Sequence, residues 1–388
     1  MEQRFVYMDY NATTPLRPEV KAEMIEDLDV FANASSMHEA GRRARSRVEK
    51  SRASVARLIG AKDPERVIFT SGGSESNNTV FATMFHLARK GPRRGIVTTK
   101  IEHPCVLNAA KWLEDEGFPV TFLDVDEYGM VRLDQLRAVV GPDTLLVSIM
   151  MANNEIGSVQ DMLAASAIAR EAGAYFHSDA TQAVGKIPVD VEALGIDYMT
   201  MSCHKLYGPK GVGALYVRTG APLEPLIRGG HQEHGFRAGT YNNIGILGFG
   251  AAADLAWAEL GDYGTRVASL RERLRDGILS SVPKAKVNGH PTSVLPNTLN
   301  VSFPGTEGEA ILLSLDLEGI RVSTGSACAS GSLEPSHVLL ATGVGPELAH
   351  GSIRFSLGRD STVDDVDYVV SKIGPIIARL RAMSTVSY

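Results

Sequence analysis

Short apolar runs alternate with amphipathic stretches over the first two-thirds of the chain. Val67-Ile68-Phe69-Thr70, Ile96-Val97-Thr98-Thr99 and Val120-Thr121-Phe122-Leu123 predict strands, as do 144–151, 174–177, 197–201 and 214–217. Helical patterns from after the turn 71–74 to about 89, at 104–116 and at 161–172 fall between them. Strands interleaved with helices need crossover connections, which build a mainly parallel sheet. Several of these strands lack polar alternation, as expected where both faces are covered.

The pattern changes after about residue 257. A charged helix at 264–280 precedes a strand at 299–303, a helix at 307–317, a strand at 353–357 and a last helix at 363–381. The expected organisation is a large α/β domain over 15–257 and a smaller α/β domain formed by 1–14 and 258–388. With no repeat, low-complexity tract or flexible linker to divide them, the junction can be a continuous helix.

The length of 388 residues suits two such domains, and 44% apolar with 22% charged residues is ordinary for a globular protein. A net charge of −6 gives no reason to expect nucleic acid or a membrane surface as a partner. No uninterrupted apolar run of membrane-spanning length or N-terminal signal core is read from the chain. Cys105, Cys203 and Cys328 are odd in number and widely spaced, so neither a disulfide framework nor a zinc site is expected. These features predict a cytoplasmic protein with reduced thiols.

Three turns after predicted strands carry candidate chemistry. In Ser71-Gly72-Gly73-Ser74 the glycines permit a sharp turn, and the following helix start offers N–H groups to a phosphate. Alone, this segment reads better as an ordinary helix start. Asp179, in His177-Ser178-Asp179-Ala180-Thr181-Gln182, follows a strand and could pair with a cationic ring nitrogen, although alone it reads as a helix cap. Lys205 stands beside Ser202 and His204, two candidate phosphate donors, and before the turn Gly208-Pro209-Lys210-Gly211. A partly desolvated lysine loses its proton readily and can form a Schiff base. Phosphate at Gly72–Ser74, ring nitrogen at Asp179 and aldehyde at Lys205 together describe a pyridoxal-phosphate site. A fourth segment, Gly325-Ser326-Ala327-Cys328-Ala329-Ser330-Gly331, lacks large apolar neighbours that would bury the thiol, so Cys328 is read as an accessible cysteine on a mobile loop. Cys105 and Cys203 are expected to serve as packing.

These segments resemble the cysteine desulfurase family of class-V aminotransferases, which are fold-type-I pyridoxal-phosphate enzymes. The resemblance runs from Asp9-Tyr10-Asn11-Ala12-Thr13-Thr14 through Glu102-His103-Pro104, Asn153-Asn154-Glu155 and Arg228-Gly229-Gly230-His231-Gln232-Glu233 to Leu333-Glu334-Pro335-Ser336-His337 and Arg354-Phe355-Ser356. It implies a large domain with a mainly parallel seven-stranded sheet and a smaller C-terminal α/β domain. It implies that Lys205 holds pyridoxal 5′-phosphate covalently, that Asp179 pairs with the ring nitrogen and that Gln182 meets the ring hydroxyl. His103 would stack on the ring and act in proton transfer, and Gly73, Ser74, Ser202 and His204 would bind the phosphate. Thr240 would reach the neighbouring subunit's phosphate, which implies a homodimer. Arg354 would clamp the carboxylate of L-cysteine, with Asn154 and Asn33 nearby, and Asn154 would also contact the cofactor. Cys328 would receive sulfur as a persulfide while L-alanine is released. The loop length resembles the group that serves nitrogenase or general iron–sulfur assembly, with a scaffold protein as sulfur acceptor. Ser74 stands where threonine is commoner, and Ala34 where proline is usual. A selenocysteine lyase, an aminotransferase and a non-enzymatic scaffold are the competing readings.

Overall fold

A computed structural model describes residues 4–324 and 334–383. In chain order the first part holds strand β1 (Val6–Tyr7), helix α1 (Pro18–Leu28), α2 (Glu39–Leu58), β2 (Val67–Thr70), α3 (Gly73–Lys90), β3 (Gly95–Thr99), α4 (Pro104–Asp115), β4 (Val120–Leu123), α5 (Leu133–Val139), β5 (Thr144–Ser148), α6 (Met162–Glu171), β6 (Tyr175–Asp179), β7 (Tyr198–Ser202) and β8 (Gly213–Val217). The long α7 (Asn243–Ser281) leads to β9 (Lys286–Asn288), β10 (Thr298–Ser302), α8 (Gly308–Leu317), β11 (Ile320–Arg321), α9 (His337–Ala341), α10 (Pro346–His350), β12 (Ser352–Ser356) and α11 (Val363–Met383).

Seven strands form one sheet in the order β2-β8-β7-β6-β5-β3-β4. Only β8 runs against its neighbours β2 and β7. Successive residues enter opposite cores, because side chains alternate across a strand. Val67 and Phe69 join one cluster and Ile68 the other; Met199 and Met201 oppose Tyr198; Ala214 and Tyr216 oppose Leu215 and Val217. Both faces are therefore covered, which explains the unbroken apolar runs.

A third core lies around the antiparallel sheet β12-β10-β9. Val301, Phe303, Ile353 and Phe355 pack there with α8, α11, the C-terminal half of α7 and the N-terminal residues Val6 and Met8. Residues 257 and 258 both lie inside α7, which contributes Phe249 and Ala253 to the large-sheet core and Leu270 and Leu274 to the small one. This helix starts about twenty residues before the charged segment that periodicity marks. Its early turns are rich in glycine, a poor helix former. Tertiary packing favours those glycines: a Cβ on Gly250 would lie 2.6 Å from Ser51 Cβ, and one on Gly248 2.8 Å from Pro209. By length and composition alone α7 is apolar enough to cross a membrane, but the residues just named place its apolar side in the two protein cores.

Candidate active site

The predicted turns meet at one edge of the large sheet, beyond the carboxyl ends of β2, β6 and β7. Reversed β8 enters the sheet here at Gly213. The turn after β2 lies so close to it that a Cβ on Gly213 would come 2.6 Å from Gly72 Cα. Gly72 has φ 156° and ψ −179°, a region open only to glycine. The turn thus delivers Gly73 as the first residue of α3. A Cβ at Gly73 would meet Thr181 Oγ1 at 3.2 Å and Ser202 Cβ at 3.8 Å. Thr181 Oγ1 is shielded and has no hydrogen-bond partner among the described residues. Gly73, Thr181 and Ser202 make a small concave cradle at a helix start, suited to phosphate. Ser74 is exposed on the same first turn.

Asp179 ends β6 and is buried. Its Oδ2 accepts from Asn77 Nδ2 at 2.7 Å and its Oδ1 from the Thr181 amide at 3.0 Å. Asn77 also points Nδ2 at Cys105 Sγ, 3.1 Å away. His103 caps α4: its Nδ1 accepts from the Cys105 amide at 3.3 Å and lies 2.9 Å from Cys105 Sγ. Because Nδ1 accepts, the proton of neutral His103 is placed on Nε2. Burial lowers the His103 pKa, with the Asp179 charge opposing. Burial, reinforced by Asp179, pushes the Cys105 thiol up to about 12. Cys203 is packing, as expected, but Cys105 is turned into the site.

Lys205 lies on a short turn after β7 and donates from Nζ to Asn11 O at 2.5 Å and Ala12 O at 2.7 Å. Asn11 O also accepts from Gln182 Nε2 at 3.0 Å. His204 sends Nδ1 to within 3.1 Å of Thr13 Oγ1. Burial, then the cations Lys205, Lys210 and Lys186, push His204 down to about 4. The N-terminal strap 9–14 is therefore the floor beneath Lys205, a role that no local pattern in its sequence marks.

Arg354, buried on β12, donates to Asp9 Oδ1 at 2.8 Å and to Asn154 O at 3.0 Å. Its Nε has no partner among the described residues, so one edge of the guanidinium keeps a free donor. Asn154 is thus joined to Arg354, through its backbone. Asn33 is not: it is exposed, and its Oδ1 caps the amide of Ser35. Thr240 is exposed on a loop held by two ion pairs, Arg52–Glu233, fully buried, and Arg237–Glu75. Cys328 lies outside the described residues. The chain after it is anchored at Ser336, whose hydroxyl donates to Glu155, and at His337, whose Nε2 is 3.1 Å from Glu102 O.

The class-V aminotransferase profile matches residues 6–369. Cysteine desulfurase IscS of Dictyoglomus turgidum is 49% identical over 384 residues, covering 98% of this chain and 97% of that protein. The chain belongs to the cysteine desulfurase family. A solved NifS-like protein superposes with a TM-score of 0.91 at 39% identity, covering 97% of this chain and all of that one. The solved structure of SspA in complex with cysteine gives 0.80 at 34% identity, covering 91% and 98%. The family's cofactor is pyridoxal 5′-phosphate, and the residues present fit it. The cradle at Gly73 has an unpartnered hydroxyl for the phosphate, and Asp179 is a buried carboxylate for the ring nitrogen. Sequence reasoning missed Thr181, Asn77 and Asn11. Thr181 and Asn77 flank residues it chose, and only the folded chain turns them inward.

Proposed function

We propose that this protein is a pyridoxal-phosphate-dependent cysteine desulfurase that converts L-cysteine to L-alanine and receives the sulfur on Cys328 as a persulfide. The observation that carries the reading is the meeting of Lys205, Asp179 and the Gly73 cradle at one sheet edge, with a buried arginine, Arg354, whose Nε has no partner among the described residues.

Lys205 would hold the cofactor, Asp179 the ring nitrogen, Gln182 the ring hydroxyl, and Gly73, Ser74, Thr181, Ser202 and His204 the phosphate. Bound there, the cofactor supplies an electron sink for the substrate α-carbon. The remaining work belongs to the chain. Arg354 orients the carboxylate, with Asn154 supporting its guanidinium. Lys205 would take the α-proton through its amine, and His103 would sit against the cofactor ring and move a proton through Nε2. The Cys328 thiolate attacks the substrate sulfur. An S–S bond forms, the Cβ–S bond breaks with its electron pair left on carbon, and a proton completes alanine. An unperturbed thiol has a pKa of about 8.5, so Cys328 needs a base or cations nearby when it reacts.

We assign the chain 15–257 as the cofactor domain, and 1–14 with 258–388 as the small domain. Exposed Thr240 is taken to complete the phosphate site of a second copy in a homodimer. The acceptor is taken to be a protein, such as an iron–sulfur scaffold, in the cytoplasm, and Asn33 is kept as a substrate contact on the resemblance alone.

The test is release of alanine and sulfide from L-cysteine with a reductant, comparing wild type, Cys328→Ala and Lys205→Ala. Equal alanine and sulfide from wild type, and almost none from either variant, is expected. Equal sulfide from wild type and Cys328→Ala would remove the persulfide route. No action on cysteine would turn the reading to selenocysteine or a keto acid.

A further inference from the structure

Lys186 is a buried amine with no carboxylate beside it. It is 3% exposed, and among the described residues it makes no ion pair. Burial lowers its pKa well below the ordinary lysine value, reinforced by the charges of Lys205 and Arg354. It also shares a small cavity with Lys205, lined further by Arg17, Tyr207, Glu259, Tyr263 and Arg359. Glu259, the acid of that cavity, is engaged by Arg17 and Arg359. Burial without a counter-charge disfavours the charged form of this amine and still costs the desolvation of a polar group, so the partners it bonds point to its task.

Its two hydrogen bonds identify one. Lys186 Nζ donates to Gln182 Oε1 at 2.7 Å and to Asn11 Oδ1 at 3.3 Å. Gln182 Nε2 in turn donates to Asn11 O, which also receives Lys205 Nζ. An ammonium or amine N–H donates here, and a backbone carbonyl only accepts. The amide orientation of Gln182 is therefore set by chemistry rather than by choice of assignment. With Oε1 engaged by Lys186 and one Nε2 hydrogen by Asn11, the donor left to the site is the second Nε2 hydrogen.

We propose that Lys186 is a positioning residue of the cofactor site, fixing the Gln182 carboxamide so that it presents N–H, and not oxygen, to the ring oxygen of the cofactor. This rests on the reading of Gln182 as the residue that meets the ring. Losing that donor removes stabilisation of a ring oxygen anion. The protonated form of the bound cofactor then persists to higher pH.

The experiment is a pH titration of the visible absorbance band of the purified holoenzyme, for wild type, Lys186→Met, Gln182→Leu and the double variant. Methionine keeps the length of the stem and removes the buried amine, so folding is expected. If it fails to fold, Lys186→Gln takes its place in the same cycle. The expected result is an upward shift of about half a pH unit or more in each single variant, the size of a fraction of one hydrogen bond, with no further shift in the double. A shift in Gln182→Leu without one in the Lys186 variant overturns the role of Lys186 and leaves the Gln182 reading intact. Additive shifts also overturn it, since Lys186 would then act directly on the cofactor. No shift in Gln182→Leu removes the Gln182 reading, and the inference about Lys186 falls with it.

Discussion

Asn77 Nδ2 donates to Asp179 Oδ2 at 2.7 Å, tying the first turns of α3 to the end of β6. The same helix start forms the Gly73 cradle, so one element orients both the candidate phosphate site and the candidate partner of the ring nitrogen.

Asn77→Ala leaves Asp179 with one hydrogen bond fewer. Asn77 Oδ1 is itself without a partner among the described residues, so truncation also removes an unsatisfied buried oxygen and costs the fold little. The expected outcome is about tenfold weaker pyridoxal phosphate binding, the scale of one hydrogen bond to a charged group. Equilibrium titration of apo protein with the cofactor measures it, beside thermal melts of the apo form. Unchanged affinity would remove the coupling.

Arg354 is held by Asp9 and Asn154, and its buried Nε has no partner among the described residues. Arg354→Lys keeps the charge but loses the planar fork. It is expected to raise KM for L-cysteine about tenfold or more while kcat changes less. Steady-state kinetics decide this, and an unchanged KM would remove the carboxylate role.

Two fully buried acids make stability depend on pH. Burial pushes Glu102 up to about 8, and its Oε2 has no partner among the described residues, as befits a protonated acid. Burial pushes Glu155 up to about 7, with the Ser336 hydroxyl opposing. Both ordinary values are 4.5. Between 4.5 and 7 to 8 the folded state therefore holds protons that the unfolded chain has lost. Stability is fully present below 4.5 and falls as pH rises through this window, by up to about 1.4 kcal/mol per unit for each group. Glu102→Gln and Glu155→Gln should each flatten the decline, seen in denaturant unfolding from pH 5 to 9. An equally steep curve in both variants would rule out these two acids as its source.

Much of this protein is determined by its sequence. Val67-Ile68-Phe69-Thr70 and Val120-Thr121-Phe122-Leu123 are strands with the bounds their apolar residues mark, because a short run bounded by turn residues has few other ways to bury itself. Gly72-Gly73, Asp179 and Lys205 are legible because each ends or follows such a strand, and parallel strands carry their chemistry at the carboxyl edge. Tertiary structure alone decided the rest. Asn11 reaches Lys205 across 194 positions of the chain, and Asp9 reaches Arg354 across 345. Local pattern holds no record of such distant partners. Gly248 and Gly250 weaken a helix locally, yet their neighbours Pro209 and Ser51 leave no room for a Cβ. Cys105 reads as packing until Asn77 and His103 converge on its sulfur. Lys186 has the formula of a surface residue; only the fold buries it against Gln182, since burial is a property of what packs around a side chain and not of the side chain itself.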